Sequence, residues 1–152
     1  MTKTLEDRIA EIEAREAIKE LRARYGWCAT RGDYTGVANC FTPDGVFEAG
    51  LGKDRNRLVG REAISAALAR LVTPVAVMPM LHNETIRIVG DEAQGTCTME
   101  SRVAPNFDGG FVGYYHDRLR RIDGKWLFTE RRWFVYSPAF EDSGLTIDGE
   151  PV

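Results

Sequence analysis

The apolar positions of the chain change period partway along, and the change divides it. Leu5, Ile9 and Ile12, then Ile18, Leu21, Tyr25 and Cys28, recur every three to four residues, the period of a helix with one buried side. A phase shift near Ala14 predicts a bend or two short helices. Thr4 offers a capping hydroxyl ahead of Glu6 and Asp7, whose carboxylates suit the positive end of a helix dipole. "RGDY" breaks the pattern, "TGVANCF" reads as a short helix, and "TPDG" reads as the turn that closes it. From "GVFEAG" the period becomes two, with "GLGKDRN" following as a hairpin or loop. "GREAISAALARLV" returns to helical spacing through Ile64, Leu68 and Leu71, and Pro74 limits its length.

Strands finish the chain. "ETIRIV" turns at Gly90 and Asp91 into "AQGTCTMESRV", the loop "APNFDGG" leads to "FVGYYHDRLRRI", and Asp123-Gly124 is a hairpin signal before "KWLFTERRWFVY". Helices, then a strand and a helix, then a long antiparallel meander make an α+β layout rather than a βαβ one. The expected architecture is a cone-shaped curved antiparallel sheet wrapped around the N-terminal helices, an α+β barrel whose open end is the natural pocket. The 152 residues carry no repeat and no linker, so the chain reads as one domain, 1–152, with a core at about 8–137 and a tail at 138–152.

Composition narrows the partners. Twenty basic and 23 acidic residues are interspersed, giving a net charge of -3, and no basic block suits nucleic acid. The acidic N-terminus has no continuous apolar stretch, so neither a secretory signal nor a membrane span is expected, and the chain is read as cytoplasmic. Cys28, Cys40 and Cys97 lack CxxC spacing and read as small buried hydrophobes. A nucleophile elbow, a phosphate-binding P-loop and a dinucleotide fingerprint are all missing. His82 and His116 lie too far apart in sequence to suggest a metal site, and no cofactor is expected.

Three segments, "AIKELRARYGWCATRGDYTGVANCFTPDGVFE", "HNETIRIVGDEAQG" and "YYHDRLRRIDGKWLF", resemble the SnoaL-like, nuclear transport factor 2-like superfamily over about residues 8 to 137. The nearest likeness is to the scytalone dehydratase and bile acid 7α-dehydratase group. That resemblance implies a deep apolar pocket, homodimers or homotrimers, and cofactor-free lyase or isomerase chemistry on hydrophobic ring compounds. It places the Tyr of the second helix on Tyr25 and, on the strand that carries the catalytic His, the usual Asn on Asn83. The Asp that orients the catalytic His falls on Thr30, the His itself on Pro79, and an Asp of the next strand on Ser101.

His82, three residues beyond Pro79, is the candidate base, since imidazole titrates near working pH. A backbone bulge after Pro79 would aim it into the pocket, with Thr30 or Asp33 fixing its tautomer; otherwise it is a strand-end histidine facing solvent or a subunit. Tyr25 is either the donor to a substrate oxygen or a core aromatic with a satisfied hydroxyl. Alternation puts Cys97, Met99, Ser101 and Val103 on the face lining the cone, and places Tyr115 and Asp117 inward with His116 outward. Asp117 is expected to pair with Arg131 or Arg132 across the last hairpin. Trp27 and Phe47 are candidates to flank a flat substrate.

These residues point to a dehydratase-like lyase on a hydrophobic, hydroxylated aromatic or polycyclic molecule. His82 and Tyr25 are catalytic, and Thr30, Asp33, Asn83, Ser101, Tyr115, Trp27, Phe47 and Met99 bind substrate. Loss of a small aldehyde by C–C cleavage is a variant. The alternatives are a proton-shifting isomerase using Asp33 or Glu48, and a non-catalytic binding or assembly module.

Overall fold

A single helix, α1 (Leu5–Thr30), carries the whole first apolar run. In the computed structural model, which describes residues 3–51, 54–72, 77–104, 106, 110–136, 146–147 and 150–151, this helix runs unbroken through Ala14 and is not two short helices. The phase shift has another cause. Leu5, Ile9 and Ile12 are 70, 47 and 59% exposed, and burial starts at Ala14, so the two apolar stripes belong to an uncovered and a packed length of one helix. Its start is fixed by a reciprocal capping box: the Asp7 N–H donates to Thr4 Oγ1 at 3.1 Å and the Thr4 N–H to Asp7 Oδ2 at 2.9 Å.

The short helix α2 (Tyr34–Ala38) leads to β1 (Phe41–Leu51), β2 (Asp54–Val59), α3 (Arg61–Val72), β3 (Val77–Val89), β4 (Glu92–Val103), β5 (Val112–Ile122) and β6 (Lys125–Tyr136). A two-residue pair, β7 (Thr146–Ile147) and β8 (Glu150–Pro151), follows. "TPDG" is therefore strand rather than turn, and it coincides with a register shift between Phe41 and Val46 where β1 meets β6. Asp54 to Asn56 of the expected loop belong to β2. Gly52, Lys53, Pro74, most of "APNFDGG" and the tail residues 138–145 lie outside the described residues.

The six main strands form one curved, open sheet in the order β2-β1-β6-β5-β4-β3. Neighbours are antiparallel except β1 and β6, which run parallel, so the first strand joins the meander at its last strand. The Asp123-Gly124 turn has both residues at positive φ, 49° and 76°, as a two-residue hairpin of this hand requires. Ile18, Leu21 and Tyr25 of α1 pack on the inner face of the sheet with Phe41, Phe47, Cys97, Met99, Tyr115, Leu119 and Phe128. Among the described residues no helix is long and apolar enough to cross a membrane.

Candidate functional site

The inner face holds charge at its centre. Arg22 stands four residues after Ile18 and three before Tyr25, on the buried stripe of α1, and is 1% exposed. Its Nε donates to Asp117 Oδ2 at 3.0 Å and its Nη1 to Glu84 Oε2 at 3.0 Å. From the sheet, Arg131 grips the same carboxylate, Nε to Oδ1 at 2.8 Å and Nη2 to Oδ2 at 3.0 Å. Asp117 and Arg131 are both 0% exposed, so Asp117 joins the helix to the sheet through two guanidinium groups. The pairing expected for Asp117 is thus made with Arg131, and Arg22 is its unforeseen third member.

Around Arg131 the aromatic rings close in. Its guanidinium carbon lies 4.3, 4.0 and 4.2 Å from the ring centres of Tyr25, Tyr115 and Phe128, within the range of cation–π attraction. Burial works against the charge on Arg131, but Asp117 outweighs it and the guanidinium pKa is raised. The Tyr25 and Tyr115 rings meet edge-on with centres 5.8 Å apart. Burial lifts the pKa of Tyr25, with Arg131 pulling the other way, and lifts that of Tyr115 well above its usual value. Both phenols are therefore donors at neutral pH. The Cys97 thiol, raised by burial against the pull of Arg131, likewise keeps its proton. Arg131 Nη1, Arg22 Nη2 and Trp133 Nε1 are buried donors with no hydrogen-bond partner among the described residues.

Of the candidates named from the sequence, Tyr25, Phe47, Met99, Ser101 and Tyr115 are buried at 3, 5, 2, 3 and 5%. All five stand on the inner side, where strand alternation placed Met99, Ser101 and Tyr115 and helical spacing placed Tyr25. Ser101, however, already uses its hydroxyl: it donates to the Phe111 carbonyl at 3.2 Å and accepts the Phe111 N–H at 2.9 Å, bracing β4 against the start of β5. Thr30 donates to the Gly26 carbonyl one helical turn back, at 2.9 Å. Asp33 is exposed and caps α2, accepting the Gly36 N–H at 2.8 Å, so neither is placed to orient an imidazole. Trp27 is 68% exposed because it lies two residues, about 200°, round the helix from Tyr25.

His82 is on the wrong side of the sheet for an interior base. It is exposed and pairs with Thr98, on the face opposite to its buried neighbour Met99. The strand does bulge, but one residue too late. Two residues, Asn83 and Glu84, stand opposite Cys97, and Asn83 takes a left-handed conformation with φ 51°. Packing parity then switches from Leu81 to Ile86 and Ile88. The side chain turned towards α1 is Glu84, which meets Arg22. Exposed Asn83 points its amide at Thr98 Oγ1, 3.5 Å away on the outer face. Glu48, one of the isomerase candidates, is also an outer residue, held by Arg55 at 2.6 Å and by Arg132 and Arg57 at 3.5 Å.

A curved sheet over a long helix is an arrangement shared with known proteins. The family model for the SnoaL-like domain matches residues 10–132. The chain belongs to the SnoaL-like family. It shares its fold with a nuclear transport factor 2-like protein with a cystatin-like fold, from Novosphingobium aromaticivorans, which is 24% identical, with 93% of this chain and 97% of that one covered at a TM-score of 0.76. A proposed scytalone dehydratase from the same organism is 18% identical, covering 84% and 87%, at 0.72. Hexachlorocyclohexane dehydrochlorinase, LinA type 2, is 14% identical, covering 86% and 90%, at 0.72. Among curated proteins none gives a significant match. These likenesses establish the fold; SnoaL-like proteins with it include enzymes and proteins of unknown function.

Proposed function

We propose that this SnoaL-like domain is a cofactor-free lyase that eliminates a small oxygen leaving group from a hydrophobic, hydroxylated aromatic or polycyclic molecule. The observation that carries the reading is the pair of buried phenols, Tyr25 and Tyr115, laid against the Arg131 guanidinium. A buried phenol that keeps its proton is a good donor to a departing oxygen, and a cation against its ring stabilises the negative charge that develops there. In the elimination a C–H or O–H proton of the substrate passes to solvent water, its electron pair forms the double bond as the C–O bond breaks, the leaving oxygen takes the proton of Tyr25, and the Tyr25 phenolate is reprotonated from solvent. With His82 outside, the reading favours substrates whose own acidic phenol or ketone eases loss of the first proton. Loss of a small aldehyde from a side chain belongs to the same class. The fold shared with a proposed scytalone dehydratase and with a dehydrochlorinase is in keeping with elimination chemistry.

A second reading is a binding module, and one observation favours it: the positions where relatives carry their Asp and His hold Thr30 and Pro79, and the Thr30 hydroxyl is bonded to its own helix. Incubation with a panel of hydroxylated aromatics and steroid alcohols, followed by ultraviolet absorbance and mass spectrometry, separates the two. Conversion with loss of water or aldehyde supports the lyase; saturable binding without conversion across the panel rejects it. A homodimer or homotrimer in the cytoplasm is the assembly and location we propose, tested by light scattering and cell fractionation.

A further inference from the structure

Two adjoining concavities open on the outer face of the sheet, away from the interior tyrosines. One, of about 570 Å³, is lined by Arg87, Gln94, Arg118, Arg120 and one carboxylate, Glu92, among others; the second, of about 290 Å³, shares Arg87 and Gln94 and includes His116. Strand register explains the convergence. Arg87 pairs with Gln94 across β3 and β4, and Gln94 with Arg118 across β4 and β5, so two cations stand about 10 Å apart on alternate strands with an amide between them.

Charge is poorly matched there. Arg120 has Glu92 at 3.0 Å, Arg118 reaches Glu130 only at 3.9 Å, and Arg87 makes no hydrogen bond or ion pair with a described residue. Elsewhere on the same face the arginines are met: Arg57 has Glu48 and Glu130 at 3.5 and 3.4 Å, and Arg55 has Glu48 at 2.6 Å. A chain of net charge -3 that leaves cations under-neutralised in one groove has built a local attraction for anions. The groove has the volume of a small-ligand site, and its basic residues are too few and too local to track a polynucleotide.

We infer that this groove binds a small molecule carrying two adjacent anionic groups, a diphosphate or its equivalent, with Arg87 and Arg118 each taking one group and Gln94 donating between them. The inference is independent of the interior chemistry. Isothermal titration of the full chain with inorganic pyrophosphate tests it. Saturable one-to-one binding is expected, weakened about tenfold or more in R87A/R118A, since each arginine supplies charge-assisted hydrogen bonds, and unchanged in R57A and in Y25F. Circular dichroism checks that the exposed substitutions leave the fold intact. No saturable binding, binding retained in R87A/R118A, or an equal loss in R57A would each overturn it.

Discussion

Asp117→Asn tests the buried charge cluster. The carboxylate is fully enclosed and accepts three charge-assisted hydrogen bonds, at 3.0 Å from Arg22 and at 2.8 and 3.0 Å from Arg131. The amide preserves shape and volume but leaves two buried guanidiniums facing each other with only half-buried Glu84 as counter-charge. Removing one partner of a buried pair costs about 3–5 kcal/mol, because the remaining charge is desolvated without compensation. For a domain of this size that lowers Tm by roughly 6–20 °C. Urea unfolding followed by tryptophan fluorescence reads the loss directly as a lower midpoint at unchanged slope. Replacing all three charges together, R22M/D117L/R131M, is expected to recover most of the loss, since a well-packed apolar cluster is about as stable as a buried ion network. A loss below about 1 kcal/mol for the single change would refute the view that Asp117 is what makes two interior arginines tolerable.

The bulge and the outer ion cluster make two more tests. Asn83→Val puts a β-branched residue at φ 51° and is expected to cost about 1–2 kcal/mol in thermal melts, while Asn83→Gly is neutral or slightly stabilising. Partial burial raises the Glu48 pKa, but bonds from Arg55 and Arg132 outweigh it and hold the carboxyl below its usual range. A depressed folded pKa gives stability that is present above about pH 4.3 and is lost as pH falls through the folded value. The stability advantage of the native chain over Glu48→Gln should therefore shrink on acidification from pH 5 to pH 3, and a gap independent of pH would contradict the pairing.

Periodicity read well wherever one face of an element is continuously buried. The inner and outer sides of β4 and β5 followed from strict alternation, which put Met99, Ser101 and Tyr115 inside. It failed where a local event interrupts the count. The β3 bulge left a trace in the sequence, since Leu81 is odd and Ile86 and Ile88 are even, but only tertiary packing fixes that the shift falls after His82. Arg22 was also traceable, as a charged residue sitting on the apolar stripe between Ile18 and Tyr25; helical wheels alone do not say that a carboxylate from β5 waits there. Trp27 and Leu5 invited the opposite error, because a large apolar side chain signals burial only when its angular position agrees. Ser101 and Thr30 sit where polar ligand contacts were expected, yet their hydroxyls are consumed by backbone partners that no spacing rule displays.

The most direct test of the interior assignment compares two variants on the same converted compound. Loss of a placed general acid lowers rate by about 10²–10⁴-fold, so Tyr25→Phe should reduce kcat by at least about a hundredfold while ligand binding persists. His82→Ala should stay within about twofold of the native chain, since the imidazole is exposed on the far face of the sheet. Collapse of turnover in the His82 variant, with Tyr25→Phe active, would contradict the placement of the chemistry at the buried tyrosines.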